Sequence, residues 1–360
     1  MKKHYDALLV GAGLFNAVLA YRLLQEGKSV LVLEKRYHIG GNCFTERVDN
    51  IDVHKYGAHI FHTSNEKVWK FVNKFATFNN FINSPIADYK GKLYNLPFNM
   101  NTFYQLFESK TAEEAKASIE KDKPQIDTPK NLEEQAMQLV GKTIFETLIK
   151  EYTEKQWGRK CNELPAEIIK RIPLRFTFDN NYFNDKYQGI PVEGYTVIIE
   201  KMFDGCDILL NTDYLKDKEK WNAIADKVYY SGCIDEYYDY CFGELEYRSV
   251  RFEMEEYNKA DFQSNAVVNY TSHEKPYTRI IEHKHFNNLG SDVTIISKEF
   301  SDEWKRGMVP FYSVNNERNT ELYNKYKNIE NKKVYFVGRL GMYKYFDMDD
   351  TIEEALNVRI

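Results

Sequence analysis

The run Tyr5-Asp-Ala-Leu-Leu-Val10-Gly11-Ala-Gly13-Leu-Phe-Asn16 decides the fold. Tyr5 to Val10 reads as a short buried strand. Gly11 and Gly13 turn the chain, and Ala17 to Glu26 has apolar residues at helical spacing. Ser29-Val-Leu-Val-Leu33 is a second apolar strand, and Glu34 ends it. Strand, glycine turn, helix, strand and acid within about thirty residues predict a Rossmann-like dinucleotide-binding unit. Gly11 permits the tight turn, and Gly13 lets backbone N–H groups approach a pyrophosphate at the positive end of a helix. Glu34 can accept hydrogen bonds from a ribose diol. Asn16 stands where a third glycine is usual, which loosens the match.

The next residues choose the dinucleotide. Lys35-Arg36 and the doublet Gly40-Gly41-Asn42 resemble the extended FAD fingerprint, whereas nothing in an NAD domain requires the doublet. Lys227-Val-Tyr-Tyr-Ser-Gly232 and Val334-Tyr-Phe-Val-Gly338 read as two later strands of the same sheet. Flavin folds often close on Gly-Asp, but here Arg339 follows Gly338. A cation beside a flavin implies a second anion in the site. Asp347 to Leu356 reads as a helix with acids in its first turn, and its N-terminal amides would favour an anionic reduced flavin.

The bulk properties set limits. A chain of 360 residues that is 43% hydrophobic, with net charge −5, fits a soluble globular protein of two or three domains. The mild acidity gives no reason to expect nucleic acid. No apolar run approaches the roughly 20 residues needed to span a bilayer. Met1-Lys-Lys-His leads directly into the first strand, and the five cysteines form no CxxC pair, so reduced thiols in the cytoplasm are expected. The 27 tyrosines and 23 phenylalanines can wall a site for sugars and nucleobases.

The pattern divides the chain into a discontinuous FAD-binding domain (1–80, 191–232 and 310–360), a helical domain with a mobile substrate loop (81–165), and an antiparallel sheet domain (166–190 and 233–309). Helices are expected over Thr111–Lys121, Asn131–Val140 and Lys142–Lys155, and strands over Arg175–Phe178, Glu246–Met254, Asn265–Tyr270 and Thr278–His283.

Several ordered blocks carry a resemblance over essentially the whole length. They include His54-Lys-Tyr-Gly-Ala-His59-Ile-Phe-His62, Tyr152-Thr-Glu-Lys-Gln-Trp157-Gly, Arg171-Ile-Pro-Leu-Arg-Phe, Pro276-Tyr-Thr-Arg279 and Gly338-Arg339 through Tyr345-Phe-Asp347-Met348. With Gly11-Ala-Gly13, they resemble the bacterial UDP-galactopyranose mutases. The resemblance implies an α/β protein that interconverts UDP-galactopyranose and UDP-galactofuranose on reduced FAD without net redox change. In the family scheme, N5 of the reduced flavin attacks the anomeric carbon as UDP leaves. It further implies an external flavin reductant, a homodimer, and a product destined for cell-surface glycans.

Residue by residue, the resemblance makes Arg279 and Arg339 the diphosphate-binding arginines and assigns phosphate hydrogen bonds to Tyr182, Tyr312 and Tyr345. Tyr152 and Trp157 would hold the uridine, Trp157 on a loop that closes over substrate, and Arg171 would swing in from the far end of that loop. Arg248 lies on a predicted strand, where a surface charge is the simpler reading, though it could reach substrate. His59, and less firmly His62, would face the flavin; no metal site is expected from them or His54. The FAD contacts implied are Gly11, Gly13, Leu14, Phe15, Glu34, Lys35, Gly41, Asn42, His59, Ile60, Gly338, Arg339, Asp347 and Met348. Competing readings are an amine-oxidase type of flavin oxidoreductase, which would present few arginines to the flavin, and a non-catalytic nucleotide-sugar sensor.

Overall fold

The structure is a computed structural model that describes residues 2–169, 172–287 and 289–360. The expected dinucleotide unit forms a five-stranded parallel sheet in the order Val334–Phe336, Ala225–Tyr230, Tyr5–Val10, Val30–Leu33, Asp207–Leu209. Tyr5–Val10 lies at its centre, with Leu8 opposite Val228 on one side and Leu31 on the other. Its apolar run is continuous because both sheet faces are covered. Helix Leu14–Gln25 packs on one face with Tyr195–Phe203 and Met348–Asn357. Arg22 fastens the last helix, donating from Nη1 to the carbonyls of Ala355 and Val358, each at 2.8 Å.

A second sheet has seven strands: Tyr312–Ser313, Tyr247–Tyr257, Thr294–Glu303, Arg279–Glu282, Val267–Tyr270, Ile86–Tyr89 and Lys92–Asn95. It is antiparallel except where Ile86–Tyr89 runs parallel to Val267–Tyr270. Two strands from the segment read as helical therefore extend this sheet. Thr294–Glu303 was not foreseen, yet it pairs with both Tyr247–Tyr257 and Arg279–Glu282. Arg175–Phe178, expected as a strand, belongs to no strand. Its alternation serves another end: Phe176 packs into the helical core, while the Arg175 guanidinium holds the carbonyls of Asn181 and Tyr182.

The expected helices form as Ala112–Asp122, Leu132–Val140 and a run from Lys142 to Trp157. Thr111 and Asn131 cap the first two, Asn131 Oδ1 accepting the Glu134 N–H at 3.0 Å. The third is broken by a wider π turn over Phe145–Ile149, a deviation common near functional sites. Beyond it, Lys150–Trp157 lies against Thr294–Glu303. Among the described residues, no helix is long and apolar enough to cross a membrane.

Candidate active site

A cavity of about 920 Å³ runs from the glycine turn, past the start of the last helix, to the seven-stranded sheet. All fourteen residues expected to contact FAD line it, from Gly11 to Met348. At one end the chain is packed backbone to backbone. Gly41 has φ +56°, and a Cβ there would lie 3.0 Å from the Gly13 Cα; one on Gly11, at φ +95°, would lie 2.3 Å from Ser231 Oγ. These close contacts hold the turn and the doublet together in backbone conformations that glycine permits. Helix Leu14–Gln25 starts after Gly13 without a side-chain cap, so its first N–H groups are open to an anion.

Asn16 explains the missing third glycine. Fully buried, it donates from Nδ2 to the carbonyls of Val10 and Gly11 at 3.0 and 2.8 Å, tying the turn to the strand. Glu34 is buried and accepts the Ala12 and Arg36 N–H groups, each at 2.8 Å, which fixes the carboxylate at the cavity wall. Arg36 was missed as a contact, although it stands in the quoted fingerprint. Its Nη2 donates to Asn42 Oδ1 at 3.1 Å and its guanidinium lies 4.5 Å from the Tyr56 ring centre, but Nη1 is buried with no partner among the described residues. A buried unpaired cationic donor beside the glycine turn fits a dinucleotide phosphate.

At the other end, Arg279, Arg339, Tyr152, Tyr182, Tyr312 and Tyr345 all line the cavity. Arg279 Nε lies 2.8 Å from Glu299 Oε1. Burial works against the Arg279 charge, but Glu299 and the nearby Tyr152 and Tyr312 hydroxyls outweigh it and hold the pKa above its ordinary value. Glu299 went unnoticed because it lies on the unforeseen strand. No side-chain hydrogen bond or ion pair engages the Arg339 guanidinium among the described residues. Burial pushes the Tyr152 phenol up to about 12 and raises those of Tyr312 and Tyr345, so all three are neutral donors near pH 7. Tyr312 and Tyr345 stack with ring centres 5.9 Å apart.

His59 and His62 also line the cavity, with Ile60 between them. His59 Nδ1 lies 2.7 Å from the Gly57 carbonyl. A carbonyl only accepts, so Nδ1 carries the proton and a neutral His59 keeps Nε2 as an acceptor. Burial, then the charges of Arg339 and Arg279, lower its pKa to about 4. His62 instead pairs with Asp185 at 2.9 Å and stacks on Phe183. His54 is buried against Phe286, and its Nδ1 accepts the His59 backbone N–H at 3.1 Å.

Two expected substrate residues lie elsewhere. Trp157 is not on the cavity wall: it packs half-buried against the helical core. The helix ends there because Gly158 adopts φ +65°, which sets the direction of the preceding side chain. Arg248 is also off the wall. Its Nε donates to the Gln156 carbonyl at 3.0 Å and its Nη2 to Ser301 Oγ at 3.1 Å, so it braces the helix end. Gln156 does line the cavity. Arg171 lies outside the described residues.

Residues 147–345 match the family model for UDP-galactopyranose mutase, and residues 9–75 match a model for an NAD(P)-binding Rossmann-like domain. A probable UDP-galactopyranose mutase of Klebsiella pneumoniae is 42% identical over 98% of this chain and 93% of its own. A dTDP-fucopyranose mutase of Escherichia coli is 38% identical over 97% of this chain and 96% of its own. In three dimensions the chain is similar to a reduced UDP-galactopyranose mutase, at 13% identity and TM-score 0.73, over 98% of this chain and 94% of that one. A redesigned putrescine oxidase is similar at 11% identity and TM-score 0.56, over 98% and 97% of the two chains. These last two likenesses speak for the fold alone. With relatives of this identity matched over nearly their full length, the chain belongs to the UDP-galactopyranose mutase family.

Proposed function

We propose that this protein interconverts UDP-galactopyranose and UDP-galactofuranose on bound, reduced FAD. The observation that carries the reading is that Arg279 and Arg339 line the same cavity as the glycine cradle. A fixed anion and a second, exchangeable anion are thereby given adjoining sites. Reduced FAD, when bound, would supply a nucleophile for the anomeric carbon, with the nucleoside diphosphate as the leaving group.

The chain's own residues do the rest. Arg279, oriented by Glu299, grips the diphosphate and stabilises the charge that grows on it as the glycosidic bond breaks. Arg339 meets the same group from the flavin side. The Tyr182, Tyr312 and Tyr345 hydroxyls donate to phosphate oxygens, and Tyr152 shapes the nucleoside end. His59 offers an acceptor nitrogen at the reacting centre. The N-terminal amides of Met348–Asn357 favour an anionic reduced cofactor. An external reductant, a cytoplasmic homodimer and a supply of galactofuranose to cell-surface glycans complete the proposal. Two arginines on the substrate side also weigh against an amine oxidase.

A second reading keeps the reaction and changes the substrate to dTDP-fucopyranose, favoured by the 38% identical relative. One experiment tests both. The purified protein should be yellow, and dithionite should switch on conversion of UDP-galactofuranose. A preference for dTDP-fucofuranose in the same assay would select the second reading, and no turnover of either by the reduced protein would sink the mutase proposal.

A further inference from the structure

Lys155 stands in the block Tyr152-Thr-Glu-Lys-Gln-Trp157, but it does not line the cavity. Its Nζ lies 2.6 Å from the carbonyl of Tyr270, 2.9 Å from Ser272, 3.1 Å from Lys275 and 2.9 Å from Tyr277. Tyr270 ends strand Val267–Tyr270, and the other three belong to the connection from it to strand Arg279–Glu282. An ammonium group has three protons, so four acceptors share them and solvate the charge with peptide dipoles alone. No carboxylate lies within ion-pair distance of it among the described residues. Burial lowers the Lys155 pKa to about 8, which leaves it charged at neutral pH.

Neighbouring residues fasten the same two elements. The His273 backbone N–H donates to Glu151, and His273 Nε2 lies 2.9 Å from Glu154 Oε2. Thr271 Oγ1 donates to the Thr147 carbonyl at 2.8 Å. One residue after Lys155, the Gln156 carbonyl accepts from Arg248 and from Ser301 Oγ. Burying a charge is costly, and an apolar side chain would fill such a space more cheaply. What the ammonium adds is register, because directional bonds to four carbonyls admit one placement of the helix. Tyr152 precedes Lys155 by one turn, and Arg279 follows Tyr277 by two residues, so that placement sets both. The Tyr152 phenol and the Arg279 guanidinium already act electrostatically on one another.

We propose that Lys155 is a positioning residue for the reaction. Bound by the four carbonyls, it holds helix Lys150–Trp157 against the strand that carries Arg279 and sets the spacing of Tyr152 and Arg279 across the substrate end of the cavity. The inference rests on the reading of those two residues as substrate contacts.

The test uses the FAD-loaded full chain, with Lys155→Met, Lys155→Arg and Arg279→Ala measured in parallel well below their melting temperatures. Lys155→Met should keep FAD, while KM for UDP-galactofuranose and Kd for UDP rise about tenfold or more and kcat falls by less than in Arg279→Ala. Lys155→Arg, which keeps the charge, should recover part of that loss. If Lys155→Met does not fold, Lys155→Gln takes its place with the same expectation. Unchanged KM and UDP affinity would overturn the proposal, as would a fall in kcat alone. If Arg279→Ala weakens UDP binding and the Lys155 variants do not, the positioning role fails and the site reading stands. If Arg279→Ala leaves UDP binding intact, the site reading fails first.

Discussion

Replacing Arg279 by Met separates a role in folding, through Glu299, from the proposed role in turnover, through the diphosphate. Glu299 is only 7% exposed and Arg279 25%, with 2.8 Å between them. Removing one partner of a fully buried pair costs about 3–5 kcal/mol; partial exposure of Arg279 brings this to roughly 2–3 kcal/mol. For a chain of this size that lowers Tm by roughly 3–4 °C. Turnover loses two charge-assisted hydrogen bonds to the diphosphate at about 1.5–3 kcal/mol each, a fall in kcat/KM of roughly 10²- to 10⁴-fold. The decisive arm is the double variant Arg279→Met, Glu299→Leu. An apolar pair of similar volume removes the stranded carboxylate, so Tm should recover by at least half. Turnover should not recover, since nothing has replaced the cation. The measurements are thermal melting of the FAD-loaded protein and dithionite-dependent conversion of UDP-galactofuranose. A double variant that regains turnover along with Tm would refute the reasoning, because Arg279 would then act only through the fold.

Other outcomes follow from single contacts. Gly41→Ala puts a Cβ 3.0 Å from the Gly13 Cα in a left-handed conformation, so the purified protein should be colourless, as visible absorbance will tell. Buried His59, His283 and His54 have pKa values lowered to about 4, to about 3, and well below normal. The unfolded chain takes up their protons below pH ~6.5 and the folded chain does not, so stability falls as pH drops from about 6.5 towards 4. Melting curves over that range should show Tm decreasing, and His283→Gln should flatten the slope. Arg248→Ala should lower Tm and raise KM less than tenfold; a loss as large as that of Arg279→Ala would make Arg248 a direct substrate contact.

Much of this was legible in the amino-acid order, for a physical reason. The glycine cradle is written locally: Gly11 and Gly41 have positive φ, and a Cβ on either would press on Ser231 Oγ or the Gly13 backbone. Tight steric demands leave a trace in sequence that needs no knowledge of the remainder of the chain. Strand Thr294–Glu303 left no such trace. Its buried positions include Thr294, Ser297 and Glu299, polar residues made tolerable by partners far away in sequence: Glu282 for Thr294, His283 for Ser297 and Arg279 for Glu299. Apolar periodicity cannot find a strand whose interior is hydrogen-bonded. Trp157 and Arg248 illustrate a third limit. Each was expected at the substrate, yet the direction of its side chain depends on where the helix stops and which carbonyl then needs a donor.

The two arginines at the substrate end are not equivalent, and the difference bears on how the site works. Arg279 is held by Glu299, so its placement is settled before any ligand arrives, at the expense of part of its field. Arg339 stands where flavin folds often carry an acid and has no such partner among the described residues. An acid there would repel a diphosphate brought up to the cofactor, whereas an unpaired cation attracts it most strongly once water has been displaced. On the proposed reading, one arginine would orient the leaving group and the other would keep its charge uncompensated until that group is present. With Arg339 in that place, two arginines line this end of the cavity, and an anionic ligand would balance their charge. On the proposed reading that positive charge, more than the fold, is what suits the chain to a nucleotide sugar.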